Sequence, residues 1–125
     1  MKKTDLFLMI RPDTREQPQQ VPWKGYLSNT DGLVVCRAPR YKEGWTPSKD
    51  EWQVIHHKSG YVLPYCYDLY SMKVALTTAS LLGAFFDWTQ SKDEIFEQSR
   101  GKFKPIEIYK TVERVKRQDM GMEVL

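Results

Sequence analysis

Residues 51–88, EWQVIHHKSGYVLPYCYDLYSMKVALTTASLLGAFFDW, decide the fold of this chain. From Trp52 to His57 the side chains alternate with a period of two, which predicts a β-strand with two distinct faces. Lys58-Ser59-Gly60 then predicts a tight turn, since glycine accepts a positive φ. Residues 61–63 predict a second strand, which ends or lies at a sheet edge at Pro64 because proline has no N–H to donate.

The second half of this stretch predicts a long apolar helix over residues 72–86. Its polar side chains form one narrow stripe, Lys73, Thr77 and Ser80, so we expect burial on several sides. Asp68 or Ser71 can cap its first turn. Gly83 costs about 1 kcal/mol against alanine inside a helix, which suggests that the hairpin backbone approaches it closely. The helix is too short for a membrane span, which needs roughly 20 apolar residues.

Upstream, the sequence predicts one strand, one hairpin and two loops. The apolar run 6–10 predicts a buried first strand, and residues 13–22, rich in Gln and Pro, predict a loop or mobile arm. Residues 23–38 predict a hairpin, because Asp31-Gly32 is a strong turn signal between two apolar runs. Residues 39–47 predict a second loop that either covers the core or forms a contact surface.

Downstream, the sequence predicts two further helices. Ser91 and Glu94 have the spacing of a capping box, which begins a short helix anchored by Ile95 and Phe96 and ending near Gly101. Pro105 suits the first turn of the last helix. An apolar seam along that helix is predicted by the i, i+4, i+7 spacing of Ile108, Val112 and Val115, and Gly121 suits its end.

Together these elements predict an α+β fold. We expect a small antiparallel sheet of four to five strands in two hairpins, with the long apolar helix and the two C-terminal helices packed on it. Strands that precede helices argue against repeated βαβ units. The length of 125 residues suits a single domain, 1–125, with its core in 26–118 and a partly mobile arm in 1–25.

The composition limits the class of protein. With 41% hydrophobic and 28% charged residues, the chain is neither disordered nor membrane-embedded in type. A net charge of +3 is compatible with a polyanionic partner without requiring one. The two cysteines, Cys36 and Cys66, and the lack of a signal-peptide pattern predict a cytoplasmic protein with reduced thiols. A Cys36–Cys66 bridge stays an open alternative.

The motifs of catalysis and metal binding are missing from the sequence. His56 and His57 with the two cysteines supply zinc ligand types, but neighbouring strand residues point to opposite faces and the usual spacings are absent. The chain has no nucleophile elbow, no oxyanion-hole motif, no Walker loop and no GxGxxG. We therefore expect a non-enzymatic protein without cofactor or metal. A hidden active site would require His56 or His57 to line a cleft with a carboxylate or a cysteine.

The basic residues give the clearest functional signal. Lys110, Arg114 and Arg117 recur at i, i+4, i+7 on the last helix, which is typical of a surface for nucleic acid or an acidic partner. A solvated helix face without a partner is the alternative, since Glu107 and Glu113 partly neutralise it. Further cations and aromatic side chains extend the predicted contact surface: Lys102, Lys104, Arg40 and Lys42, with Tyr41, Trp45 and Trp23 as stacking candidates.

A protein-interaction module is the rival hypothesis. If the apolar helix keeps one face uncovered, a homodimer or another protein partner would bury it. Residues 52–88, with W-x-V-x-H, Ser-Gly, a strand, an Ala/Leu-rich helix and Asp-Trp, resemble small ββα proteins of phages and other mobile elements. The resemblance implies a shared local architecture and an origin in such an element, and it implies no activity.

Overall fold

The structure is a computed structural model, and it describes residues 2–11, 17–100 and 105–121. Four antiparallel strands pair in chain order in one sheet: β1 (Lys3–Ile10), β2 (Gln19–Leu27), β3 (Leu33–Tyr41) and β4 (Trp45–His56). In the described part of the chain they are followed by the helices α1 (Met72–Leu82), α2 (Lys92–Ser99) and α3 (Ile106–Asp119). The predicted α+β class, with strands before helices, is therefore confirmed.

The sheet has a hydrophobic core on each face, because side chains along β3 alternate between the faces. Leu33 and Val35 belong to the core that α1 and α3 complete. Val34 and Cys36 belong to a second, smaller core with Leu6 and Leu8 of β1. The β1–β2 hairpin thus packs over one face of β3–β4, and the helices pack over the other.

Two segments predicted as loops are partly strand. Strand β2 begins at Gln19, inside the 13–22 segment, and Gln19 pairs with Ile10 despite the polar, proline-containing sequence. The 39–47 segment forms the end of the β3–β4 hairpin, where Tyr41 pairs with Trp45. Tertiary pairing therefore overrides composition at both places. The predicted hairpin around Asp31-Gly32 is present between β2 and β3.

The predicted fifth strand, residues 61–63, is not confirmed. The segment makes one isolated bridge to β4, between Val62 and Ile55. Val54 then donates its N–H to the Cys66 carbonyl at 3.0 Å. The chain follows β4 without a regular ladder, since Pro64 has no N–H to continue one.

Helix α1 is shorter than predicted, with 11 residues that end at Leu82 instead of Phe86. The Trp88 indole N–H donates to the Leu82 carbonyl at 2.8 Å, so a side chain takes the place of the next helical turn. Ser71, one of the two predicted caps, accepts a bond from the Val74 N–H at 3.1 Å. The close approach expected at Gly83 exists, but its neighbour is the Thr30 side chain in the β2–β3 loop.

The two C-terminal helices begin largely as predicted. The Ser91–Glu94 capping box is formed, and α3 follows Pro105. Ile108, Val112 and Val115 are buried, which confirms the apolar seam. Phe96 was predicted to anchor α2, yet it is 65% exposed, and the half-buried Ile95 alone contacts the main core.

Part of the segment that was predicted as a mobile arm is packed in the core. Leu6 and Leu8, which lie within the first 25 residues, are 5% and 2% exposed. The single-domain assignment stays a prediction.

None of the helices in residues 2–11, 17–100 and 105–121 is long and apolar enough to cross a membrane.

Candidate nucleic-acid interface

The outer face of α3 presents three cations to solvent. The buried seam of Ile108, Val112 and Val115 turns one side of the helix inward. Lys110, Arg114 and Arg117 lie on the outward side and are exposed, as their spacing predicted.

The charge on this face is only partly neutralised. Lys110 Nζ lies 3.7 Å from Glu107 Oε1, and Lys116 Nζ lies 4.0 Å from Glu113 Oε1. Pairs of this length between exposed groups stabilise little, since water screens them. Arg114 and Arg117 form no ion pair with any acidic side chain that the structure describes. Both guanidinium groups are therefore open to an external anion.

A tyrosine pair flanks the same helix. The ring centroids of Tyr65 and Tyr109 lie 5.4 Å apart in an edge-to-face arrangement. Tyr109 neighbours Lys110 on α3, and the two tyrosines are 40% and 43% exposed. Exposed rings beside cations can stack on nucleobases. The sequence analysis missed these residues, although three tyrosines within PYCYDLY were the signal for them.

The loop that presents Tyr65 is held in an uncommon backbone conformation. Tyr65 has a φ of 63° and Asp68 a φ of 57°, in the left-handed region that side chains other than glycine rarely adopt. Tyr70, at the end of the loop, donates its hydroxyl to Asp119 Oδ2 at 2.8 Å. This hydrogen bond, followed by desolvation and the carboxylate charge, raises the pKa of Tyr70. The loop is thereby tied to the C-terminal end of α3.

Four of the predicted contact residues lie at the tip of the β3–β4 hairpin: Arg40, Tyr41, Lys42 and Trp45. Tyr41 and Trp45 form an edge-to-face pair with centroids 5.1 Å apart, and Lys42 lies in the turn between them. Arg40 is paired with Glu51 across the hairpin, so its charge is largely compensated. No hydrogen bond, ion pair or ring contact joins this tip to α3 within the described ranges.

Trp23, the third predicted stacking residue, is separated from α3 in the same way. Trp23 lies on β2, where its indole N–H donates to the Arg37 carbonyl at 2.9 Å. Its ring packs against the smaller core. Lys102 and Lys104 lie outside the residues that the structure describes.

The histidines and cysteines are placed as structural residues. His56 is 3% exposed, and its Nε2 lies within 3.0 Å of the carbonyls of Trp88 and Gln90. Two acceptors at one nitrogen require Nε2 to carry the proton, so Nδ1 accepts from the Ser59 hydroxyl at 2.7 Å. His57, on the other face, donates from Nε2 to the Asp5 carbonyl at 3.0 Å.

Both thiols are free and buried, one in each core. Burial raises the pKa of Cys36 and of Cys66 to about 12. Because Cys36 and Cys66 lie in different cores of the sheet, the alternative of a bridge between them is not realised. The described residues contain no cluster of three or more side chains that could hold a metal ion.

An acid–base pair at the histidines would need a free carboxylate. His57 and Asp5 line the same groove. The Asp5 carboxylate, however, is paired with Lys24, and the ring of His57 is bonded to the Asp5 backbone instead. With these contacts, the Asp5 carboxylate and the His57 ring are not placed to exchange a proton with each other.

No protein-family model matches the chain, and comparison with curated proteins and with solved structures gave no match. Function has to be inferred from the described surfaces themselves.

Proposed function

We propose that this is a small non-enzymatic, cytoplasmic protein that binds nucleic acid through the outer face of α3. The observation that supports this most directly is the pair Arg114 and Arg117, exposed and without an acidic partner in the described structure. In this proposal Lys110, Arg114 and Arg117 contact phosphates and release counterions, which gives affinity with little sequence preference. Tyr65 and Tyr109 supply stacking surface at the edge of the same face.

The test is fluorescence anisotropy with labelled single- and double-stranded DNA and RNA across a salt series of about 50 to 200 mM. The variant Lys110→Gln/Arg114→Gln/Arg117→Gln removes the three charges and keeps good helix formers at each position. We expect log affinity for single strands to fall linearly with log salt, with a slope shallower by about 2 in the variant, since each phosphate contact contributes roughly 0.7.

The matched control is Arg11→Gln/Lys49→Gln/Lys58→Gln, which removes the same charge from exposed positions on the strands and turns of the sheet. It should keep most of the affinity. Equal losses in both triple variants would mean that only net charge matters, and the α3 surface would not be the site. A wild type that binds nothing at low salt would refute the function itself.

The second candidate is a homodimeric protein-interaction module. The observation that favours it is a group of exposed apolar side chains around the groove between the 61–64 segment and α2. Phe96 is 65% exposed there, and Val62 is 38% exposed. Leu81 on α1 is also 41% exposed, and Met72 and Leu76 of the same helix are half-buried. A dimer whose elution volume does not change with protein concentration would favour this candidate.

A further inference from the structure

A groove opens where β2 and β3 separate. These strands pair only at Tyr26–Val35 and Leu27–Val34, whereas β1 and β2 pair along the whole of β1. At the last contact the backbones are so close that a Cβ on Gly25 would lie 2.7 Å from the Val35 carbonyl oxygen. Beyond it the strands diverge around a volume of about 610 Å³. This size falls in the range of ligand sites.

The charges around the groove favour an anion. Lys3, Lys24 and Arg37 line it, and Asp5 is its acidic lining residue among the described side chains. Asp5 and Lys24 are paired with each other. Lys3 and Arg37 form no ion pair in the described structure, so the groove keeps an excess of two positive charges.

Arg37 is held in place by an irregularity in β4. Residues 48–51 of β4 stand opposite Ala38 alone, since Arg37 pairs with Trp52 and Pro39 pairs with Pro47. The Ser48 and Lys49 carbonyls of this bulge accept bonds from Arg37 Nη1 at 3.2 and 2.7 Å. Bulges of this kind redirect side chains and occur often beside functional sites. The guanidinium is therefore pre-positioned, and its other N–H groups have no acceptor among the residues that the structure describes.

Two aromatic residues line the groove beside these cations. Trp23 and Tyr26 of β2 are half-buried and line the groove. Trp23 is fixed by its indole bond to the Arg37 carbonyl, and Tyr26 packs against Trp52 with centroids 6.2 Å apart. Fixed rings beside fixed cations are the combination that binds successive nucleotides of a single strand.

A series of contacts connects this groove to α3. Trp52 and Leu69 exchange backbone hydrogen bonds of 2.7 and 3.1 Å. The next residue, Tyr70, is bonded to Asp119 at the C-terminal end of α3. Trp52, which lines the groove, is thus joined to α3 through two consecutive residues.

We propose that this groove binds nucleotides of a single-stranded nucleic acid, with phosphate at Lys3 and Arg37 and a base against Trp23. The inference rests on the proposed function and deepens it, because it assigns the strand state. A duplex keeps its base faces stacked inside the helix, so it reaches α3 but gives the rings of the groove nothing to bind. Single strands engage both surfaces.

The experiment compares single-stranded oligothymidylate with a duplex of the same length, by anisotropy and by quenching of tryptophan fluorescence. In Lys3→Gln/Arg37→Gln we expect single-strand affinity to fall about 10-fold and the salt slope to drop by about 1.4. Duplex affinity should stay within about twofold of wild type, because the face of α3 is unchanged. Trp23→Phe should remove most of the quenching, while Trp45→Phe should not.

Lys3→Gln alone is the second variant, since its exposed side chain supports no described contact and the fold does not depend on it. If it and Lys58→Gln have equal effects on single-strand binding, the groove is not the site. Equal losses for duplex and single strand in the double variant also overturn the inference. Saturable quenching by thymidine monophosphate as strong as that by the strand would overturn the assignment to a strand.

The groove inference and the proposed α3 function are contradicted by different experimental results. If Lys110→Gln/Arg114→Gln/Arg117→Gln abolishes binding while the groove variants bind as wild type, the groove inference is wrong and the proposed α3 function stands. If the groove variants lose single-strand affinity and the α3 variant does not, the groove inference stands and α3 is not the contact surface. A wild type that binds neither nucleic acid overturns both.

Discussion

The guanidinium carbon of Arg37 lies 4.7 Å from the ring centroid of Trp52, directly across the β3–β4 ladder. The ring is 7% exposed and belongs to the main core, whereas the cation reaches the surface groove. This one contact joins the main core of the protein to a cation that lines the groove.

Arg37→Ala should lower the free energy of unfolding by about 1–2 kcal/mol, because a cation–π contact and two charge-assisted hydrogen bonds are lost. Lys24→Ala should cost less than about 0.5 kcal/mol, since its ion pair with Asp5 is exposed on both sides. Urea unfolding of both variants gives the comparison. Equal costs would show that the Arg37 contacts contribute nothing beyond an exposed charge.

Gly83→Ala should destabilise the protein by about 1–3 kcal/mol through overpacking, although alanine is the better helix former. The added Cβ would lie 2.6 Å from Thr30 Oγ1, which already donates to the Ala79 carbonyl at 2.7 Å. Thr30→Ala removes the obstructing atoms. The double variant should therefore be more stable than the two single effects predict, by about 1 kcal/mol. Additive effects would contradict the close approach.

His56→Leu should cost about 2–4 kcal/mol, because it leaves the Trp88 and Gln90 carbonyls and the Ser59 hydroxyl without their buried partner. His57→Leu is the matched control. It loses one bond to the Asp5 carbonyl at a half-buried position and should cost less than about 1 kcal/mol. Thermal unfolding measures both, and a reversed order would be inconsistent with the assigned hydrogen bonds.

The two thiols should resist Ellman's reagent in the native protein. With a pKa of about 12, roughly one thiol in ten thousand is ionised at about pH 8, against roughly one in ten at the ordinary value of 9.0. Both should react at once in denaturant. A rapid native reaction of one equivalent would place a cysteine at the surface.

Acid should weaken the capping box of α2. Bonds from Ser91 lower the pKa of Glu94 below its ordinary 4.5, so its contribution to stability is complete above pH 4.5 and is lost as the pH falls through the folded-state pKa. Glu94→Gln should reduce this acid-dependent loss, measured as the fall in Tm from about pH 6 to about pH 3. Ser91→Ala should reduce it as well, because the shift depends on that partner. An unchanged fall in both variants would contradict the coupling.

The elements predicted correctly from sequence are those with a local signal. Ser91 and Glu94 are three residues apart, the α3 seam repeats every three to four residues, and Asp31-Gly32 is a turn by itself. Residues 39–47 were wrongly predicted to be a loop throughout, because two prolines and a charged turn are typical of loops. The pairing of Tyr41 with Trp45 depends on the partner strand, which no local pattern reveals.

The candidate binding surfaces also differ in whether a local sequence pattern predicts them. The stripe Lys110, Arg114 and Arg117 follows from helical spacing alone. Tyr65 lies in a loop with a left-handed backbone, and Arg37 and Lys3 come together at the groove between β2 and β3. Neither arrangement has a local sequence pattern. Arg37 did leave one sequence signal, since it interrupts the apolar run of β3.

The turn after β4 also shapes how the protein behaves in a concentrated solution. Gly60 accepts a bond from the Met9 N–H, and His57 donates to the Asp5 carbonyl, so groups on the outer edge of β1 are already occupied. On the far side of the sheet, Leu69, Cys66 and Tyr61 bond in the same way to β4. Unpaired strand edges are templates for cross-β aggregation between molecules. By occupying part of both edges within its own chain, the protein limits that route to fibrils.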